Sequence, residues 1–167
     1  MNFRTGMCLL VMMGGLSACA TGGGAYEEPV TGPVAEVSFS WDSSVPGMGV
    51  SHYEGANCIN PAIMRATDRP DDPTRFKVSA GQDVTLFVRT GAGGGFGQRG
   101  WYCVIGVTFR PVAGGSYRFQ LSRQGGQCRL LAEQRAATGT WQAIEGMRLR
   151  TYRTPVVASE GFCEPLK

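Results

Sequence analysis

Trp101-Tyr-Cys-Val-Ile-Gly-Val-Thr-Phe109 is the stretch on which the fold turns. Trp101, Cys103, Ile105, Val107 and Phe109 alternate with Tyr102, Val104, Gly106 and Thr108. That is the period of two of a β-strand with one apolar face. Pro111 and Gly114-Gly115 turn the chain into Ser116 to Arg123, where Tyr117, Phe119 and Leu121 take the inward positions. Gly125-Gly126 turn it again into Gln127 to Glu133. Three strands joined by short turns predict an antiparallel meander.

Upstream, Asp83 to Thr90 sets Val84, Leu86 and Val88 against Thr85, Phe87 and Arg89, and a glycine-rich loop from Gly91 to Gly100 follows. Further back, Val37, Phe39 and Trp41 alternate with Glu36, Ser38 and Ser40, so a strand opens the domain near Val34. A loop with Pro46, Gly47 and Gly49 leads to His52, and Asn60-Pro61 has the form of an N-cap followed by proline in a first turn. That form predicts a short helix from Pro61 to Ala66, closed by the turn chemistry of Asp68 to Pro73. Downstream, Leu130 to Ala137 can continue as strand or switch to helix, because Leu, Ala, Glu, Gln and Arg are good helix formers. Thr140 to Ile144 and Met147 to Thr154 read as two more strands before the tail at Cys163. The expectation is a mainly β chain with at most one short helix. It folds as a single antiparallel β-sandwich, immunoglobulin-like or transthyretin-like, with a barrel as the alternative.

The amino-terminal region has a different character. Residues 1–18 contain Arg4, an apolar run from Met7 to Met13, and small residues before a cut site, the three parts of a secretory signal. The run is shorter than the roughly 20 apolar residues that span a bilayer. Leu16-Ser-Ala-Cys19 at its end resembles the lipobox of bacterial lipoproteins. The resemblance implies a lipid on the Cys19 thiol, cleavage just before it, and attachment to a membrane. Several acyl chains at about 0.8 kcal/mol per CH₂ make such attachment permanent. Ala20 stands where members of that family kept on the inner membrane commonly have Asp, so the resemblance implies the outer membrane, with the domain facing the periplasm. The organisation expected is a signal peptide over residues 1–18, a lipidated flexible tether over 19–33, rich in Thr, Gly, Glu and Pro, and one β domain over 34–167.

Removing the signal leaves 149 of the 167 residues, enough for one domain with its own core. With Arg4 gone, 15 basic side chains face 13 acidic ones, a balance that gives no support for nucleic-acid binding. Four cysteines remain in the domain, Cys58, Cys103, Cys128 and Cys163, an even number that suits two disulfides in an oxidising compartment. No pair has CxxC spacing, so a metal site is not expected. In a regular meander Cys103 and Cys128 stand two strands, or roughly 10 Å, apart. That exceeds the about 7 Å between alpha carbons that a disulfide tolerates. The preferred pairing is therefore 58 with 103 and 128 with 163, while 58 with 128 and 103 with 163 stays open.

Candidate sites are few. Gly95-Phe-Gly97-Gln-Arg-Gly100 matches GxGxxG, but the dinucleotide motif must open a helix and this one opens a strand, so no cofactor is expected. Phe96 at the tip of that loop, with Arg99 beside it, is a possible partner contact. Arg148, Arg150 and Tyr152 share one face of the Met147 to Thr154 strand, an arrangement able to hold phosphate or carboxylate groups or simply to face solvent. His52, the only histidine, lies beside Glu54 without a nucleophile motif and reads as an idle surface residue. Asp68, Asp71 and Asp72 lack the pattern of a calcium loop and read as turn residues. The function expected is a non-catalytic envelope module, attached to the membrane through Cys19 and binding an envelope protein or polymer. The alternative is an inhibitor of a cell-wall hydrolase, by a likeness of architecture to small periplasmic lysozyme inhibitors; an enzyme stands third.

Overall fold

The computed structural model describes residues 23–64, 73–94, 99–154 and 161–166. Among them there are twelve strands and no helix. They are β1 (Gly24–Ala25), β2 (Val34–Trp41), β3 (Gly49–Glu54), β4 (Ile59–Met64), β5 (Thr74–Ser79) and β6 (Val84–Ala92). The second half adds β7 (Trp101–Phe109), β8 (Ser116–Gln124), β9 (Gln127–Arg135), β10 (Trp141–Ala143), β11 (Arg148–Tyr152) and β12 (Cys163–Pro165). A seven-stranded sheet has the order β1-β4-β3-β6-β7-β11-β12, and a five-stranded sheet the order β10-β9-β8-β2-β5.

One hydrophobic core takes side chains from both sheets. Val37, Phe39 and Trp41 of β2 and Phe119 and Leu121 of β8 meet Val50 of β3, Leu86 and Val88 of β6, and Val107 and Phe109 of β7. Phe39 stacks on Phe119 with ring centroids 5.5 Å apart, and Phe109 leans on Phe119 at 5.5 Å and on Tyr117 at 5.0 Å. The inward sets expected for β2, β6 and β8 are all in this core, as are Val107 and Phe109 of β7, with Trp101 and Ile105 packed partly buried against it, because alternation records which face is buried.

The expected meander is not what forms. β7 pairs with β6 and β11, whereas β8 pairs with β9 and, in parallel, with β2. Between Phe109 and Ser116 the chain leaves one sheet for the other. The corner is held by bonds from Gly81 N to the Pro111 carbonyl, from Gly114 N to the Val34 carbonyl, and from Val112 N to the Tyr117 hydroxyl at 3.0 Å. Both sheets are mixed rather than antiparallel, since β1 also runs parallel to β4.

That corner overturns the cysteine pairing. Cys103 on β7 and Cys128 on β9 lie in different sheets on their inward faces, so the two-strand separation never arises and their alpha carbons come within 6.3 Å. The disulfides join Cys103 to Cys128 and Cys58 to Cys163, the latter with alpha carbons 5.6 Å apart.

The predicted helix is also absent from its described part, which is strand β4; residues 65 and 66 lie outside the described residues. Asn60 has a φ of 51°, which no N-cap adopts, and Pro61 falls where the β3–β4 register shifts. A bulge tolerates proline's missing N–H, so strand pairing wins over the local helix signal. The ambiguous 130–137 stretch continues as strand through Arg135.

Within the segment expected to be a tether, β1 pairs with β4, and Tyr26 closes the gap between the sheets. Its ring lies 4.6 Å from that of His52 and 6.1 Å from that of Phe76, and its hydroxyl donates to the Lys77 carbonyl at 2.8 Å. His52 is consequently a core-side residue of β3, only 8% exposed, and not the surface histidine that its glycine-rich surroundings suggested. Burial outweighs the nearby Glu54 charge and pushes its pKa down to about 4.

Candidate functional site

The outward face of the seven-stranded sheet gathers the side chains with chemistry to offer. Alternation puts Tyr53 of β3, Thr85, Phe87 and Arg89 of β6, and Gly106 and Thr108 of β7 on this side, opposite the core set. β11 pairs with β7 so that Arg148 stands opposite Thr108 and Arg150 opposite Gly106. Arg148, Arg150 and Tyr152 therefore extend this face together, as the sequence pattern indicated.

At one end the charges are paired. Asp83 accepts from Arg110 Nε at 2.9 Å and from Arg148 Nη2 at 2.6 Å. Burial alone would push the Asp83 carboxyl up, but the hydrogen bonds from Arg148 and Arg110 and their charges together hold it below the ordinary carboxylate range. In the centre Arg150 Nε donates to the Thr108 hydroxyl at 2.9 Å, and Thr108 shares a 2.6 Å bond with the buried Thr85 hydroxyl. Partial burial, then the charge of Arg148, lower the Arg150 pKa, and the charge of Asp83 offsets them only in part. Both effects mean that this guanidinium lacks some of the stabilisation it has in water, and an anion would restore it.

The other end is aromatic. Phe87 packs edge-on against Tyr53 and Tyr152, each at 5.5 Å, and Phe162 covers Tyr53 at 5.7 Å. Arg89 lies 5.0 Å above the Tyr152 ring and donates to the Tyr53 hydroxyl at 3.3 Å. The Cys58–Cys163 disulfide sits under this group, in a small second core with Tyr53 and Phe87. Gly106 makes room for it, since a Cβ there would come within 2.4 Å of the Phe87 ring. Gly23, Ser51, Tyr53, Ile63, Arg89, Tyr152 and Phe162 border one cleft of about 100 Å³.

Among the described residues, Arg89 and Arg150 thus have neutral partners, while Arg110 and Arg148 share one carboxylate. The face is net cationic with exposed ring surface, a chemistry suited to phosphate or carboxylate ligands. By contrast, the outward face of the five-stranded sheet has a groove of about 440 Å³ whose arginines are largely satisfied. Arg118 Nε meets Glu133 at 2.6 Å and lies 4.4 Å above Trp141, and Arg75 stands 3.9 Å from Glu36.

Arg99 is exposed beyond the Trp101 end of β7; Phe96, Cys19 and the three aspartates at 68, 71 and 72 lie outside the described residues. Sequence reading missed Arg89, Tyr53, Phe87, Phe162 and Asp83. For Arg89 and Phe87 the signal was present, since both occupy outward positions of the strand that precedes the Trp101 hairpin. Tyr53 and Phe162 gave none, because the disulfide that unites them was not the expected one. Among the described residues, no group of three or more His, Cys, Asp or Glu side chains is placed to hold a metal ion. No protein family, curated protein or solved structure matches this chain.

Proposed function

We propose that the chain is a non-catalytic lipoprotein, anchored through Cys19 to the outer membrane on its periplasmic side. Its two sheets form a sandwich of immunoglobulin-like or transthyretin-like kind that serves as a binding module of the envelope. The ligand class is anionic, bearing phosphate or carboxylate groups. The observation that supports this reading is the pair Arg89 and Arg150, two guanidinium groups with neutral partners beside the exposed Tyr152 ring. The lipobox resemblance supports the address, and the two disulfides suit an oxidising compartment.

The test has two arms. Mass spectrometry of the cell-made protein should find a lipid on an amino-terminal Cys19, and Cys19→Ser should release the protein from membranes; a Cys19→Ser protein still lipidated and membrane-bound overturns the address. Cross-linking in intact cells should capture an acidic envelope component, and Arg89→Gln with Arg150→Gln should abolish that capture. Unchanged capture by the double variant overturns the site, and inhibition of a muramidase by the purified protein would replace this reading with that of a hydrolase inhibitor.

A further inference from the structure

The cleft that ends the cationic and aromatic face is bordered on one side by Gly23, the first described residue of the chain. β1 begins at the next residue and is held by its parallel pairing to β4, while Tyr26 is fixed between the sheets by its bond to Lys77. A Cβ at Gly23 would come within 1.8 Å of the Pro61 carbonyl oxygen, so the backbone passes hard against β4 at this point. Cys19 precedes Gly23 by four residues. Four residues reach at most about 14 Å even when fully extended. A lipid on Cys19 therefore enters its bilayer within that distance of the cleft holding Arg89, Tyr152 and Phe162.

From this we infer that the partner of the face is the anionic headgroup layer of the same bilayer, so that the anchored domain lies on the membrane with this sheet downward. The inference rests on the lipoprotein reading above. The composition of the face fits such a surface. Ile63 is 48% exposed and Tyr152 38% exposed at the cleft, beside Arg89 and Arg150. Aromatic rings and long cationic side chains are the groups that settle at the level of lipid headgroups. The opposite sheet face points away from the lipid and stays open to the periplasm.

The experiment uses the cell-made protein reconstituted in vesicles containing phosphatidylglycerol with brominated acyl chains. Tyr152→Trp adds a fluorescent reporter on the proposed contact, and Leu131→Trp, on the exposed side of β9, adds one on the far face, each read as the difference from the parent protein with its three tryptophans. The emission of Tyr152→Trp should shift to the blue and be quenched, with no change for Leu131→Trp. Each arginine beside an anionic surface is worth about a fivefold preference, so Arg89→Gln with Arg150→Gln should lower the ratio of face-down to released domain about 25-fold. Vesicles of phosphatidylcholine carrying the same brominated chains should abolish the quenching likewise. Equal quenching of the two reporters, or quenching indifferent to lipid charge, overturns the inference. So does a Tyr152→Trp emission that responds to an acidic glycan polymer and not to lipid. The mass of the amino-terminal peptide is read on the same sample. If Cys19 proves unmodified the anchor fails by itself, and the same two reporters with added vesicles still decide whether the face takes lipid.

Discussion

Replacing His52 with Gln should remove a large part of the acid sensitivity of this fold. His52 is 8% exposed, faces the gap between the sheets and is covered by Tyr26 at 4.6 Å. Burial lowers its pKa from 6.5 to about 4 despite the attraction of Glu54. Between these two values the unfolded chain binds a proton at this position and the folded chain does not. Stability is therefore fully present above pH 6.5 and falls as pH drops through the window, levelling off below pH 4. At about 1.4 kcal/mol per unit, the loss attributable to this one group is about 3 kcal/mol. Urea unfolding of both proteins at either end of that window isolates the term. The wild type should lose about 3 kcal/mol more than His52→Gln, because carboxylates common to both proteins cancel. Proton NMR gives an independent reading, since a chain with one histidine has one imidazole titration to follow. A native-state midpoint near 6.5, or equal losses in the two proteins, refutes the reasoning.

Tyr26→Ala should uncover that histidine, cost about 2 kcal/mol in denaturant unfolding and move the imidazole midpoint upward toward its ordinary value. Peptide mapping without reduction should find Cys58 linked to Cys163 and Cys103 to Cys128. Removing the first link should cost more than the second, about 5 against about 3.5 kcal/mol by chain entropy, because it closes the larger loop. Asp83→Asn should destabilise by about 1 kcal/mol at pH 7, since its partners are largely exposed arginines. Because the folded carboxyl is held low, that difference should vanish as pH falls below about 4. Gly106→Ala should cost about 1–3 kcal/mol in thermal unfolding by pushing the Phe87 ring off its seat, and should weaken any binding that depends on Tyr152.

Where a strand buries one face, its sequence showed it. Val37, Phe39 and Trp41, or Tyr117, Phe119 and Leu121, could be assigned to the core from alternation alone, and Arg148, Arg150 and Tyr152 to a common outward face. Which strand neighbours which was not legible, since alternation says nothing about the sheet a strand joins. The turn at Pro111 to Gly115 has the residues of a hairpin, yet its Val112 amide and Tyr117 hydroxyl make a corner between sheets. From that error followed the wrong cysteine pairing, and with it the concealment of the Tyr53, Phe87 and Phe162 group. Asn60-Pro61 misled for a related reason, because its helix signal is local while the β3 pairing that overrides it comes from earlier in the chain. Tyr26 lay in a stretch whose composition is that of a linker, yet its ring, the β1–β4 pairing and the Lys77 amide bond to Glu28 dock it.

The disulfides are nested, the 103–128 link lying wholly inside the 58–163 link. For a chain that emerges amino terminus first into an oxidant, the first partner offered to Cys58 is Cys103, which is the wrong one. Cys163, the right one, follows Cys103 only after another 60 residues. If the chain is exported as proposed, strictly sequential oxidation would trap the protein, and its maturation would then call for a catalyst that reshuffles bonds rather than one that only forms them. Shortening the carboxyl terminus by six residues would leave Cys58 permanently without its mate, and a cell lacking thiol exchange should accumulate the 58–103 form.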